Sequence, residues 1–317
     1  MPKQRKKMLT LDILEILRKY SDENHRLTQG EIQELLLSEY EMNVERKAVR
    51  QGLTDLIGSG YNIEYETQTR KTGDTMSRFY LERDFTGGEL HLLIDSILFF
   101  KYIPTKQRRD LVEKLAGLSN QYFKTQVQHA LSIPESPLQD PDFFYTIEVL
   151  EEAITKGKQV SFYYGKYNEE KKLCHREEES GATRLYPINP YQIAVAGDKY
   201  YLICNHNEHD DVGIYRVDRI RNIQIMEQAV KPMQQVKGLE KGLNLSKFMA
   251  EHIYMFSGPS ATVTFRIQKA MVPEMIDWFG KEITFFDETD TEISGKVYVN
   301  LMAMRKWAVQ YALSVKV

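Results

Sequence analysis

The hydrophobic period of this chain shifts from mainly helical to mainly strand-like near residue 140, and that shift limits the fold more than any other feature. Up to about residue 120, outside a hairpin-like stretch at 63–81, apolar residues recur at helical spacing. Beyond a proline-bearing stretch at 133–142 and one further helix, they fall, as far as about residue 226, in short runs of strand length. At ~100–200 residues per domain, 317 residues make two or three domains and exclude a single small module. Hydrophobic residues at 42% and charged residues at 27% exclude a wholly disordered, collagenous or disulfide-stapled chain.

In the helical part, Leu9, Ile13, Ile16, Leu17 and Tyr20 share one helix face. Thr28, with Glu31 three residues on, forms a capping box that opens a second helix striped by Ile32, Leu35, Leu36 and Tyr40. A third helix, about 45–57, divides at 100° per residue: Val49, Leu53, Leu56 and Ile57 on one side, Arg46, Lys47, Arg50 and Thr54 on the other. Gly58 and Gly60 stop it. Ile63, Tyr65 and Thr67 then alternate, Gly73 and Asp74 supply a turn, and 78–81 reads as a returning strand.

Three helices and a hairpin, with a cationic face on the third helix, are what insertion into a DNA major groove requires. Arginines such as Arg46 and Arg50 can read guanine through O6 and N7. Lys47 and the hairpin residues Arg70, Lys71 and Arg78 would mainly meet phosphates. Residues 1–83 hold fourteen Lys or Arg and fourteen Asp or Glu, and the whole chain has net charge −3, so topology rather than charge carries this expectation.

Residues 85–120 read as a connecting helical pair broken at Pro104. Pro134, Pro137 and Pro141 among polar residues mark a linker and a domain boundary. After a helix at about 146–155, strand-like runs at 159–164, 183–186, 191–196, 199–205, 213–217 and 220–226 suggest a small β-barrel. The last segment reads strand 262–267, helix 271–279, strand 283–286, strand 292–299, helix 301–313, a ferredoxin-like βαββα arrangement. Trp278, Phe279, Trp307 and Tyr311 there are core by default, with a dimer surface as the alternative.

Tyr186-Pro187-Ile188-Asn189-Pro190-Tyr191, Gly197-Asp198-Lys199-Tyr200-Tyr201-Leu202 and Ile214-Tyr215-Arg216-Val217-Asp218-Arg219-Ile220 together resemble the WYL-domain transcriptional regulators of bacteria. The resemblance extends over nearly the whole chain and implies an α+β multidomain protein in four parts. These are a winged helix-turn-helix DNA-binding domain (1–83), a helical linker (84–139), a WYL ligand-sensing domain built as an Sm-like or SH3-like barrel (140–230), and a C-terminal ferredoxin-like extension for dimerisation or regulation (231–317). It also implies a homodimer on a double-stranded operator, and a nucleotide or single-stranded nucleic-acid ligand. The sequence departs from the family at Tyr200, which replaces a tryptophan, at Gly213, where many members carry arginine, and at Gln51-Gly52, which replaces an Arg-Asp pair.

The candidate ligand residues are Arg184, Tyr186, Tyr200, Tyr201, Asn205, His206, Tyr215, Arg216 and Arg219. Arginines beside tyrosines offer phosphate contacts and stacking platforms together. On a regular strand Arg216 and Arg219 would face opposite ways, and Arg216 with Asp218 can equally be a structural ion pair. Cys204, His206 and His209 lack a fourth ligand at zinc spacing and read as a polar loop. No phosphate loop, dinucleotide fingerprint, metalloprotease helix or serine elbow is present, so the expectation is a non-enzyme without a cofactor. Two cysteines fit a reducing cytosol while leaving one bridge possible. No apolar run approaches the ~20 residues of a membrane span, and the basic start is not a signal peptide, so a cytoplasmic protein is expected. The rival function is an accessory protein whose WYL domain binds single-stranded RNA or DNA to modulate a partner.

Overall fold

A computed structural model describes residues 8–70, 73–127, 140–178 and 181–316. The chain forms two compact units, Met1–Gln139 and Asp140–Val317. It is a mixed α and β protein, helices first and sheets after.

The first unit opens with α1 (Leu9–Tyr20), α2 (Gln29–Tyr40) and α3 (Arg46–Gly58). Both halves of the capping box form at the start of α2: the Glu31 N–H donates to Thr28 Oγ1 and the Thr28 N–H to Glu31 Oε2. The three helices bury Ile13, Ile16, Leu17, Ile32, Leu36, Val49 and Leu53 in one core. The hairpin β1 (Ile63–Arg70) and β2 (Gly73–Leu81) joins that core through Phe79, whose backbone exchanges two 2.8 Å hydrogen bonds with Leu27. Gly52 lies where α3 meets α1, and a β-carbon there would sit 2.6 Å from Cδ1 of the fully buried Ile13. The glycine forfeits about 1 kcal/mol of helix propensity and lets the two helices close.

Three helices follow, where the sequence suggested two: α4 (Gly87–Phe99), α5 (Thr105–Ala116) and α6 (Gln121–Val127). Leu90, Ile94, Val112, Ala116, Phe123 and Val127 form their shared core. Arg108, buried between them, donates to the carbonyls of Leu98, in the last turn of α4, and Ile103, in the connection to α5. The helices are tied to α1 by Arg83, which donates to the carbonyls of Arg18 and Ser21, and by Asn120, which donates to Ser21 O and Asp22 Oδ2. Of the linker prolines, Pro134 and Pro137 lie outside the described residues.

The second unit begins with α7 (Phe143–Lys156), ended by Gly157 at φ +60°. Then come β3 (Lys158–Tyr167), β4 (Leu173–His175), β5 (Leu185–Ala196), β6 (Lys199–His206), β7 (Val212–Arg216), a 3₁₀ turn at Val217–Arg219, and β8 (Ile220–Ala229). All pairings are antiparallel, in the order β4-β3-β5-β6-β7 with β8 also on β3. The barrel expected from the sequence is not closed: among the described residues no ladder joins β7 to β8, and the 3₁₀ turn carries the chain between them. The runs read as two strands at 183–186 and 191–196 are one strand, β5. Pro187 and Pro190 lie inside it, and a bulge between Pro190 and Gln192 absorbs the missing donor.

After α8 (Leu245–Glu251), which the sequence pattern did not reveal, come β9 (Ser260–Gln268), α9 (Val272–Phe279), β10 (Thr284–Phe286), β11 (Glu292–Asn300), α10 (Leu301–Gln310) and β12 (Val315–Lys316). The sheet order is β10-β11-β9-β12, so β12 adds a fourth strand to the βαββα pattern expected. Trp307, Phe279 and Phe265 are core, while Trp278 and Tyr311 pack at its margin, joined by a 2.9 Å hydrogen bond from Trp278 Nε1. No described helix is long and apolar enough to cross a membrane.

Substituting Gly52→Val overpacks the α1–α3 contact. It is expected to cost about 1–3 kcal/mol and to speed amide exchange in both helices. An unchanged exchange pattern with an unchanged denaturation midpoint would refute the close approach.

Candidate nucleic-acid interface and ligand cavity

Because Val49, Gly52, Leu53 and Leu56 are buried, the helical period of α3 turns Arg46, Lys47, Arg50 and Thr54 to solvent. Arg46 Nε donates to Gln29 Oε1 at 3.1 Å, so one cation of the stripe is steadied by α2. Thr54 Oγ1 donates to the Arg50 carbonyl, and Gln51 Nε2 to Asp55 Oδ1, so the helix's one exposed carboxylate is engaged in its last turn. The hairpin residues separate from this stripe. Arg78, at φ +52° beside the irregularity in the ladder, is held 3.8 Å from Glu66, which also lies 3.6 Å from Arg26. Lys71 and the Arg70 side chain lie outside the described residues.

In the second unit a cavity of about 800 Å³ opens beside the ends of β3, β4 and β5. Strand pairing sets its cations. Lys166 on β3 stands opposite Cys174 on β4, and Arg176, two residues further on, shares that face. The Arg176 N–H donates to the Tyr164 carbonyl and the Arg184 N–H to the Arg176 carbonyl, which brings Arg184 alongside. The guanidinium of Arg176 lies 5.5 Å from the Tyr164 ring centre and that of Arg184 5.0 Å from Tyr186. Glu169 and Glu177 also line the cavity, yet among the described residues no carboxylate pairs with Lys166, Arg176 or Arg184.

Beneath the cations, Tyr164, Tyr186, Tyr215 and Phe162 pack edge to face, with Tyr164 and Tyr215 4.9 Å apart. Burial pushes the Tyr164 and Tyr215 phenols up from the ordinary tyrosine value. Tyr164 Oη accepts the Arg216 N–H at 3.1 Å. Among the described residues the phenol oxygen of Tyr186, a residue only 4% exposed, finds no hydrogen-bond partner, and neither does the buried Nε of Arg219.

The expected ligand residues therefore sort into groups. Arg184, Tyr186 and Tyr215 gather at or under the cavity. Arg216 forms a bidentate pair with Asp218, Nε to Oδ1 at 3.0 Å and Nη2 to Oδ2 at 2.9 Å. The 3₁₀ turn, not a regular strand, sets the direction of Arg219. Asn205 spans the 206–211 turn by donating to the His209 and Asp211 carbonyls. His206 accepts the Glu208 N–H, and burial holds its pKa below the ordinary histidine value. Tyr200 and Tyr201 point to opposite faces of β6, the first against Phe143 of α7, the second into a cluster with Phe248 and Met255. Among the described residues no group of three His, Cys, Asp or Glu could hold a metal ion.

Lys166, Cys174, His175 and Arg176 line the cavity and were not among the residues expected. Cys174 and His175 lie on a strand of three residues, beneath the length at which alternation is readable; Arg176 follows it, and Lys166 falls just beyond the run read as a strand at 159–164.

No curated protein matches the sequence. Solved structures do, among them proteasome accessory factor B/C (PafBC) of Arthrobacter aurescens, at 13% identity and a TM-score of 0.31 over 97% of this chain and 45% of that one. The chain thus spans less than half the length of that protein. The family model described as WYL domain matches residues 145–225, from α7 through the first half of β8. The cavity and the aromatic cluster beneath it accordingly belong to a WYL domain.

Proposed function

We propose that this protein is a cytoplasmic, non-enzymatic transcriptional regulator. Its first 83 residues form a winged helix-turn-helix that reads duplex DNA, residues 84–139 link it to the WYL domain (140–230), and residues 231–317 are a dimerisation or regulatory extension. The observation that carries this reading is the solvent-facing stripe of Arg46, Lys47, Arg50 and Thr54 on α3, with a hairpin on the same small core. A homodimer would place two such helices in successive major grooves, ~34–36 Å apart. The WYL cavity would take a nucleotide or a single-stranded nucleic acid: its cations meet phosphate, and the guanidinium planes of Arg176 and Arg184, backed by Tyr164 and Tyr186, offer stacking surfaces to bases. Ligand alters operator affinity only if it binds one dimer arrangement better than another, and DNA must then alter ligand affinity by the same factor.

Purified protein mixed with sheared host DNA at near-physiological salt should retain fragments that share an inverted repeat, since low salt inflates non-specific binding. Random retention would count against the regulator.

Charge reversal at Arg46 and Arg50 together should weaken duplex binding by ~100-fold or more while single-strand binding persists. Arg176→Glu with Arg184→Glu should do the opposite, removing single-strand binding and sparing duplex binding. The stacking of Arg176 on Tyr164 and Arg184 on Tyr186 favours a second reading, an accessory protein that binds only single strands through the WYL domain. That reading gains if the α3 variant changes neither affinity.

A further inference from the structure

We infer that Gln29 is a positioning residue that sets the DNA specificity of α3: it holds Arg46 with the outer edge of the guanidinium open to a guanine, which makes Arg46, and not Arg50, the base reader of the stripe. This rests on the reading of α3 as the helix that enters the major groove. Gln29 is the first residue of α2 and only 9% exposed, and Arg46 is the exposed first residue of α3. One amide serves two neighbours. Its oxygen accepts the Arg46 Nε–H at 3.1 Å, and its nitrogen donates to the Met76 carbonyl on β2 at 3.4 Å. Arginine has no acceptor to offer and a carbonyl no donor, so the amide satisfies both neighbours only this way round. A second glutamine one helical turn on, Gln33, donates to the Val44 carbonyl at 2.9 Å and fixes the backbone two residues before Arg46. Through these two side chains α2 grips the start of α3 by its backbone and by its first cation.

The chemistry of a guanidinium decides what this hold leaves available. Of its five N–H groups, one is on Nε and two are on each terminal nitrogen. With Nε turned to Gln29, the terminal nitrogens keep one N–H each side by side, a fork that meets O6 and N7 of guanine in the major groove. Those nitrogens have no partner among the described residues. The N-terminal residues of a recognition helix are the ones that reach base edges, and Arg46 stands there, one turn ahead of Arg50. No side chain of the described residues bonds to those of Lys47 and Arg50, which keep the freedom that a phosphate contact tolerates. A side chain ordered before the DNA arrives also loses less freedom on binding.

The test uses the full-length protein and a duplex carrying the inverted repeat recovered from the sheared DNA, with each base pair of both half-sites replaced in turn. The native protein should prefer one guanine in each half-site by ~10-fold or more, and Arg46→Lys, whose ammonium is not a planar fork, should erase that preference. Gln29→Met, which keeps the length of the side chain without its polar atoms, should erase it at the same base pair. The other positions should keep their preferences, and the salt dependence of affinity, which reports phosphate contacts, should not change. Gln29→Glu restores an acceptor for Nε and should recover the preference. The double variant Gln29→Met with Arg46→Lys should be no less selective than either single one, because both act through one contact. Denaturation midpoints are measured alongside, and Gln29→Leu repeats the test if Gln29→Met does not fold. If the Gln29 variant keeps the guanine preference, or weakens every duplex equally, Gln29 is structural only and the proposal is overturned while the DNA reading stands. Loss of the same preference in Arg50→Lys overturns it too. If the native protein binds no duplex selectively, the reading of α3 fails and the proposal with it.

Discussion

The second unit depends on β3, which pairs with three different strands along its length. Its first half, with Val160 and Phe162 fully buried, lies between β5 and β8. Its last residues run past the start of β5, and the ladder continues on β4 instead. A strand that outlasts one partner leaves unpaired backbone groups, and here β4 covers them. Gly165 permits the exchange, since a β-carbon at that position would lie 2.5 Å from Leu173. The cavity sits at this exchange, so its cations come from three separate stretches of sequence.

The aromatic layer beneath gives that surface a firm floor. Tyrosines in mutual edge contact are already ordered and lose little entropy when a ligand binds above them. Nearby, two charges that could have competed for a ligand are spent on structure. Asp218 holds Arg216, and Asp140 receives Arg221, which also donates to the carbonyls of Asp218 and Ile220. Both aspartates are almost completely buried, which makes the pairs costly to break and fixes the 3₁₀ turn between β7 and β8.

The first unit shows how a segment with no net charge presents a cationic surface. The fourteen cations and fourteen carboxylates of residues 1–83 are not evenly mixed. Several carboxylates are spent locally, Glu15 on Arg18, Glu39 on Lys19, Glu31 on the α2 cap and Glu66 beside Arg78. On α3 no carboxylate precedes Asp55, and its first three turns are left to Arg46, Lys47 and Arg50. Gly52 makes the display possible from behind, because close contact with α1 holds the helix by its buried side.

By itself the sequence determined whatever depends on neighbours along the chain. The faces of α1, α2 and α3 follow from a period of 3.6, the start of α2 from Thr28 and Glu31, and the cationic stripe from the spacing of Arg46, Lys47 and Arg50. The aromatic and arginine segments of the WYL domain were legible through their resemblance to WYL-domain regulators. Tertiary structure decided which of those residues meet. Tyr200 and Tyr201 belong to different cores, Arg216 is held by Asp218, and Arg184 joins Lys166 and Arg176, which no local pattern distinguished. The short strands β4 and β12, and the proline-bearing middle of β5, exist only because a longer strand offers them a ladder. Pairing between distant segments is a property of the folded chain, and a cavity lined from three of them cannot be written in any one.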